Sequence, residues 1–156
     1  MRRNDREVKD FNEIIKIMEK CDICRVALFD EEYPYVLPLN FGMQVVEDKI
    51  TLYFHGALEG KKYDLMRKNN KVGFEMDCSY QFVVKENHSY TAAYESVMGN
   101  GILEFVAEED KYEALCILMQ HYMKEGYEIN RDVIPKTMLF KLTVNTVTGK
   151  ANQIKK

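Results

Sequence analysis

Apolar and polar residues alternate along several stretches of the chain, and this spacing predicts β-strands. The clearest stretch, residues 49–55, places Ile50, Leu52 and Phe54 on one face and more polar residues on the other. Such alternation is expected when one face of a strand packs against a core. Comparable patterns predict six further strands, at residues 23–30, 35–42, 71–78, 80–85, 90–106 and 138–145.

Apolar residues at helical spacing predict three helices between these strands. Asp10 and Glu13 form a capping pair that begins a helix over 10–20, and a short helix follows at 61–69. A third helix over 108–126 begins with an acidic first turn and is ended by a glycine. Its predicted apolar stripe consists of Tyr112, Leu115, Met119, Tyr122 and Met123.

The order of these elements has no strand–helix–strand rhythm, which favours antiparallel pairing. Gly99 and Gly101 predict a bend or bulge in the longest strand, and Pro38 predicts an edge position or a bulge because proline lacks a ladder donor. We therefore expect a mainly β fold, a mostly antiparallel barrel of six to seven strands with two to three helices. With no linker or repeat, residues 1–156 are expected to form one domain.

Composition narrows the class of protein. The chain is 46% hydrophobic and 30% charged, a globular balance, and its net charge of −3 argues against a nucleic-acid binder. There is no apolar leader and no run of the ~20 apolar residues that a membrane span needs, so a soluble cytoplasmic protein is expected. The charge is uneven, however: residues 61–71 carry a net +4 and residues 104–113 a net −4. A local site for one phosphate group therefore stays open.

The segment LYFHGALEGKKYDLMRKN (52–69) is the most informative for chemistry. A strand ends in His55, passes through a glycine-containing loop and enters a helix at Lys61 and Lys62. Unpaired backbone N–H groups at the helix start, together with two lysines, can bind an anion. A solvated basic helix face is the alternative interpretation. His55 shares its strand face with Tyr53 and lies shortly before the two lysines. His88 and His121 have no comparable polar neighbours in sequence and are interpreted as ordinary structural residues.

Two other motifs have both a functional and an ordinary interpretation. Cys21 and Cys24 form a CxxC that could be a redox pair or half of a zinc site, but no second pair stands at zinc spacing. Buried free thiols are the favoured interpretation, and no metal site is expected. The polar residues Tyr94, Glu95 and Ser96 stand in a predicted strand. They form either an exposed strand face or a surface that meets a ligand or a second subunit.

These stretches together carry a family resemblance. In order along residues 1–145, MRRNDREV, CRVALFD, YPYVLPLNFG, LYFHGALEGKKYDL and YESVMGNG resemble the nitroimidazole-resistance family within the pyridoxamine 5′-phosphate oxidase-like proteins. The combination of PLNFG with FHGALEGKK is the specific part. The resemblance implies an FMN-binding split β-barrel and a homodimer with flavin at the subunit interface.

Individual residues take roles from this resemblance. On the strand beside the isoalloxazine it places Pro38, Leu39 and Asn40. Along the flavin toward its ribityl chain and phosphate it places Phe54, His55 and Gly56. Lys61 and Lys62 would bind the phosphate, and the second subunit would contribute Tyr94, Glu95 and Ser96. Residues 58–62 depart from the phosphate loop of true pyridoxamine phosphate oxidases. The C-terminal arginine–histidine pattern by which those enzymes bind substrate also has no match in this sequence, so vitamin B6 oxidation is not expected.

The implied function is a flavin-dependent reductase of small electron acceptors such as 5-nitroimidazoles. His55 would be its catalytic residue, either a proton donor or a substrate-orienting group, because imidazole titrates near physiological pH. Two alternatives stay open: a non-catalytic flavin-binding protein for storage, sensing or sequestration, and an interaction module without cofactor. The sequence has no nicotinamide-binding fingerprint that would identify the electron donor.

Overall fold

Eight strands and three α-helices form in a computed structural model that describes residues 3–85, 87–123 and 125–152. In chain order the elements are β1 (Glu7–Val8), α1 (Phe11–Lys20), β2 (Cys24–Leu28), β3 (Tyr35–Leu39), β4 (Gly42–Val46), β5 (Lys49–Gly56), α2 (Lys61–Lys68), β6 (Lys71–Val84), β7 (Tyr90–Phe105), α3 (Lys111–Tyr122) and β8 (Met138–Asn152). Short 3₁₀ segments occupy Asn4–Arg6, Glu108–Asp110 and Arg131–Lys136.

The strands form one antiparallel sheet in the order β3-β2-β6-β7-β8-β5-β4, with β1 added beside β8. Its two outer strands, β3 and β4, are consecutive in the chain and are separated only by Asn40 and Phe41. Because this short connection holds the two edges of the sheet together at one end, the sheet curls into a barrel that is split between β3 and β4. The expected antiparallel split barrel is confirmed.

The barrel interior is filled by the inward faces of the strands. Phe54 of β5 and Phe140 of β8 stack there with their ring centres 5.3 Å apart, and both are essentially inaccessible to solvent. Asp10 caps α1 by accepting a hydrogen bond from the Glu13 backbone N–H, as the capping pair predicts. Helix α1 contacts β6 and β7, and α3 contacts β4 and β5.

The bend expected near Gly99 and Gly101 is present. The pairing of β7 with β8 changes register between Asn100 and Gly101. A Cβ atom on Gly101 would lie 2.1 Å from the carbonyl oxygen of Thr143, so only glycine allows the two strands to approach this closely. Pro38 lies in an edge strand, paired with Arg25 of β2, which confirms its expected position.

Four boundary predictions need correction. The strand expected at 35–42 ends at Leu39, and a separate strand, β4, continues the chain in a new direction. The strands expected at 71–78 and 80–85 are one strand, interrupted by a bulge between Cys78 and Gln81. The closing strand reaches Asn152 rather than residue 145. The described residues contain eight strands, where six to seven are expected from the sequence. The difference arises because the sequence patterns do not predict β1 and β4 as separate strands.

The third helix also differs from its prediction. Residues 108–110 form a 3₁₀ turn, the α-helix ends at Tyr122 rather than near residue 126, and position 124 lies outside the described residues. Its buried side chains include Ala114, Ile117 and Leu118. The predicted stripe was therefore partly wrong: Leu115 is buried, but the structure exposes Tyr112, Tyr122 and Met123. Among the described helices, none is long and apolar enough to cross a membrane.

Candidate functional site

A histidine, a glycine and a lysine come together where β5 ends and α2 begins. His55 and Gly56 are the last two residues of β5, and Lys62 lies in the first turn of α2. A Cβ atom on Gly56 would lie 2.6 Å from the Tyr63 hydroxyl and 3.1 Å from Lys62 Nζ. The absence of a side chain at Gly56 therefore makes room for the lysine ammonium beside the end of the strand.

The loop between β5 and α2 is held by Tyr63. Its ring is buried, and its hydroxyl donates a 2.7 Å hydrogen bond to the Ala57 carbonyl. Gly60 occupies the N-cap position of α2, and no side chain caps the helix there. The backbone N–H groups of the first turn are thus without a side-chain cap, next to a cationic side chain, which is the arrangement that binds anions at helix N-termini.

Lys62 also acts on His55. Partial burial of the imidazole lowers the His55 pKa, and repulsion from the nearby Lys62 ammonium lowers it further. Both effects disfavour the protonated ring. In the neutral form that both effects favour, one ring nitrogen can donate and the other can accept a hydrogen bond.

Lys61 points away from this cluster, although it is the neighbour of Lys62 in sequence. Its Nζ forms a 2.6 Å ion pair with Asp30 in the connection between β2 and β3. It also lies over the Tyr35 ring, 5.4 Å from the ring centre. Among the residues that the structure describes, no carboxylate pairs with Lys62. The two predicted phosphate ligands thus differ: one is already paired, and the other is available for an external anion.

An open depression adjoins the start of α2. Its volume is about 350 Å³, and its lining includes Leu58, Gly60, Lys61 and Arg67. Glu59 and Asp64 also line it, so its two basic side chains are balanced by two acidic ones. His55, Gly56 and Lys62 do not line this depression.

The predicted residues of β3 lie along the free edge of the barrel. Pro38 and Asn40 are exposed, and Leu39 is half-buried. Asn40 follows the last ladder pair of β3, and its Nδ2 donates a 3.2 Å hydrogen bond to the Tyr122 hydroxyl. These residues present backbone groups on an edge that is not covered by another strand of the described sheet.

Phe54, a predicted cofactor contact, lies on the inward face of β5. Its side chain is completely buried and packs in the core, and it lies directly before His55 in β5. Alternation along a strand sends the two side chains to opposite faces of the sheet. Phe54 can therefore contribute only backbone groups to the site, while its side chain anchors the strand that presents His55.

The third predicted group lies far from His55 within one chain. His55 pairs with Leu139 of β8, whereas Ser96 pairs with Lys150, eleven residues further along the same strand. Eleven residues of extended strand correspond to roughly 36 Å. Within one protomer, Tyr94, Glu95 and Ser96 therefore do not share a site with His55.

That third group has its own contacts. Glu95 is buried and accepts hydrogen bonds from Lys20 Nζ at 2.9 Å and from the Ser79 hydroxyl at 2.8 Å. The Tyr94 hydroxyl accepts a 3.3 Å hydrogen bond from Arg6. A cavity of about 390 Å³ lies beside Glu95, between α1 and the N-terminal segment.

The cysteines behave as structural thiols. Cys21 and Cys24 are both free and buried, which confirms the interpretation favoured from the sequence. Burial raises the pKa of both thiols, so they are poor nucleophiles at neutral pH. Within the described residues, no group of histidine, cysteine or acidic side chains is arranged to hold a metal ion.

Two contributors were not identified from the sequence: Asp30, which pairs with Lys61, and Tyr122, which bonds to Asn40. Each is far from its partner along the chain. Neither has a local pattern that signals the contact, because the contact exists only once the barrel has closed.

The fold defines the class of this protein: a split β-barrel, with a histidine, a glycine and a lysine brought together at the junction of β5 and α2. The chain belongs to the pyridoxamine 5′-phosphate oxidase family, whose sequence profile matches residues 10–151. Among curated protein sequences, none is significantly similar to this chain.

Solved structures share the fold. A candidate 5-nitroimidazole antibiotic resistance protein from Bacteroides thetaiotaomicron is 32% identical, with a TM-score of 0.80 over 94% of this chain and 90% of that one. An FAD- and heme-binding protein from Mycobacterium smegmatis has a TM-score of 0.80 at 17% identity, over 96% of this chain and 74% of that one. The flavocytochrome Anf3 from Azotobacter vinelandii has a TM-score of 0.78 at 17% identity, over 99% and 72%. The latter two likenesses concern the fold alone.

Proposed function

We propose that this chain is a homodimeric FMN-binding flavoprotein that reduces small electron acceptors such as 5-nitroimidazoles. The observation that carries the proposal is the cluster of His55, Gly56 and Lys62 at an uncapped helix start. Family membership and the 32% identity to a candidate 5-nitroimidazole resistance protein support it.

The residues present fit a flavin mononucleotide. Lys62 and the first turn of α2 offer positive charge to the phosphate, and the missing side chain at Gly56 leaves room for the lysine ammonium. Pro38, Leu39 and Asn40 offer the open edge of β3 to the polar rim of the ring system. When bound, the flavin supplies the electron transfer, and the protein orients it and excludes competing reactions.

His55 would act on the electron acceptor. Its neutral ring can orient an acceptor by donating a hydrogen bond, and it can relay a proton when the local pH or a bound anion favours the charged form. Complete reduction of a nitro group to an amine consumes three equivalents of a two-electron donor together with protons, and releases water. Proton delivery is thus a required part of the reaction.

A homodimer would complete the site. Tyr94, Glu95 and Ser96 lie too far from His55 in one chain, so a second copy is the source that could bring them to the flavin. The hairpin between β6 and β7 also presents an apolar face: Phe82 and Tyr90 are 59% and 66% exposed and stack on each other. Such a face is suited to burial against another subunit.

The first experiment is an absorbance spectrum of the purified protein, followed by mass identification of any released cofactor and by its solution mass. A yellow dimer that releases FMN supports the proposal. A colourless protein that fails to bind added FMN overturns it and favours an interaction module. Release of FAD instead would correct the cofactor.

The second experiment separates an enzyme from a non-catalytic flavin carrier. The flavoprotein is reduced without oxygen and mixed with one third of an equivalent of a 5-nitroimidazole per flavin, so that three reduced flavins are present for each nitro group, and flavin reoxidation is followed with product analysis. Reoxidation with amine formation, slowed in His55→Ala, supports the reductase. Reduced protein that stays reduced would establish storage, sensing or sequestration instead.

A further inference from the structure

The hydroxyl of Tyr122 joins three parts of the chain at the corner between β3 and β4. It accepts a 2.9 Å hydrogen bond from the Phe41 backbone N–H and a 3.2 Å bond from Asn40 Nδ2. It donates a 2.8 Å bond to the Asp22 carbonyl in the connection between α1 and β2. One phenol hydroxyl thus uses its donor and both of its acceptor positions.

The neighbouring His121 strengthens the same contact. Its Nε2 lies 2.8 Å from the Cys21 carbonyl oxygen and, in the tautomer this requires, donates to it. Its ring lies against Phe41 with the centres 4.3 Å apart. The last turn of α3 therefore contacts the corner through the side chains of His121 and Tyr122. These two residues are distant in sequence from Asn40 and Phe41.

Phe41 is completely buried in the core, whereas Asn40 beside it is exposed. The ladder between β2 and β3 ends at Leu39, and the ladder between β4 and β5 begins at Gly42. Asn40 and Phe41 lie between these two ladders, at the split in the barrel. The position of the Asn40 side chain thus depends on Tyr122 more than on the sheet.

We propose that Tyr122 is a positioning residue for the flavin, acting through Asn40. By accepting from Nδ2, the Tyr122 hydroxyl fixes the rotation of the Asn40 amide, so that its Oδ1 acceptor is presented in a defined direction at the barrel edge. An oxidised isoalloxazine ring carries an N–H donor that suits such an acceptor. This role rests on the proposed FMN binding.

The test compares FMN dissociation constants at 25 °C for the purified full chain and three variants. Tyr122→Phe keeps the ring and removes the hydroxyl, and Asn40→Ala removes the group through which it acts. Tyr112→Phe, at the exposed start of the same helix, is the matched control. We expect Tyr122→Phe and Asn40→Ala each to weaken FMN binding about tenfold, with Tyr112→Phe unchanged.

Two further readouts exclude a merely structural role. The visible absorption bands of bound FMN should shift in Tyr122→Phe, and the double variant should bind no more weakly than either single variant, because both act at one contact. A lower melting temperature with unchanged FMN affinity and spectrum would overturn the positioning role.

The remaining outcomes are also decisive. If Tyr122→Phe does not fold, Asn40→Ala alone decides, since Asn40 is exposed and its replacement leaves the core untouched; wild-type affinity in that variant overturns the proposal. If the wild-type chain itself binds no FMN, the proposed function fails and this inference fails with it. Binding by the wild type with unchanged variants refutes only the positioning role.

Discussion

Replacing Lys61 and Lys62 one at a time tests the site most directly, because the two lysines are adjacent in sequence but differ in their surroundings. Lys62 Nζ lies beside Gly56, while Lys61 Nζ is already paired with Asp30 at 2.6 Å. We expect Lys62→Ala to lose a charge-assisted bond to the FMN phosphate, and Lys61→Ala to lose chiefly its contact with Asp30.

The magnitudes follow from the type of contact. A hydrogen bond to a charged group contributes roughly 1.5–3 kcal/mol, and each 1.4 kcal/mol is about a tenfold change in affinity. Lys62→Ala should therefore weaken FMN binding by roughly tenfold to a hundredfold. An exposed ion pair contributes little, so Lys61→Ala should change FMN affinity by less than about threefold.

The assay is fluorescence titration with FMN and, in parallel, with riboflavin, which has the same ring system and no phosphate. Lys62→Ala should leave riboflavin affinity unchanged, and increasing ionic strength should weaken FMN binding to the wild type more than to this variant. If Lys61→Ala has the larger effect, or if Lys62→Ala weakens riboflavin and FMN equally, Lys62 does not bind the phosphate.

Four further predictions concern the same region and the buried thiols. Because the folded pKa of His55 is lowered, its proton is bound less well than in the unfolded chain. The wild type should therefore lose stability relative to His55→Gln as the pH falls below the ordinary histidine value, as a series of melting curves would show. The His55 pKa should rise in Lys62→Met, where the repulsion is removed; an unchanged NMR titration would contradict this. Gly56→Ala places a methyl group 2.6 Å from the Tyr63 hydroxyl. This overpacking should lower the free energy of unfolding by about 1–3 kcal/mol, so the melting temperature should fall, and FMN affinity should fall with it. Cys21 and Cys24 should stay unmodified by a thiol reagent in the native protein and react after unfolding; rapid native labelling detected by peptide mass would refute their assignment as inert thiols.

Much of the fold could be predicted because alternation is a local property. Residues 49–55 read as a strand from their own spacing, and the structure gives β5 as Lys49–Gly56. The break after Leu39 could not be read in this way, because the residues on both sides of it favour strands. It arises where the sheet curls and β3 and β4 take different neighbours, β2 and β5. The partners that force the break are remote in sequence.

The stripe of α3 shows a second limit of local patterns. Tyr112, Tyr122 and Met123 have helical spacing and apolar character, yet the structure exposes them and buries Ala114 and Ile117 instead. Tyrosine carries a polar hydroxyl, so whether its side chain is buried or exposed depends on where a hydrogen-bond partner lies. For Tyr122 that partner is the corner at Asn40 and Phe41, which no spacing within the helix reveals.

The two lysines show how the fold turns an ambiguous motif into a defined site. Successive residues of an α-helix point about 100° apart, so Lys61 and Lys62 leave the helix in different directions. The sequence alone does not tell which of them faces the ligand, since Asp30 comes beside Lys61 only after β2 and β3 have paired and the barrel has formed. Lys61 pairs with Asp30 of the β2–β3 connection, while Lys62 Nζ lies beside Gly56. The charge of Lys61 is thus matched by Asp30, and Lys62 carries the positive charge that this junction offers to a ligand.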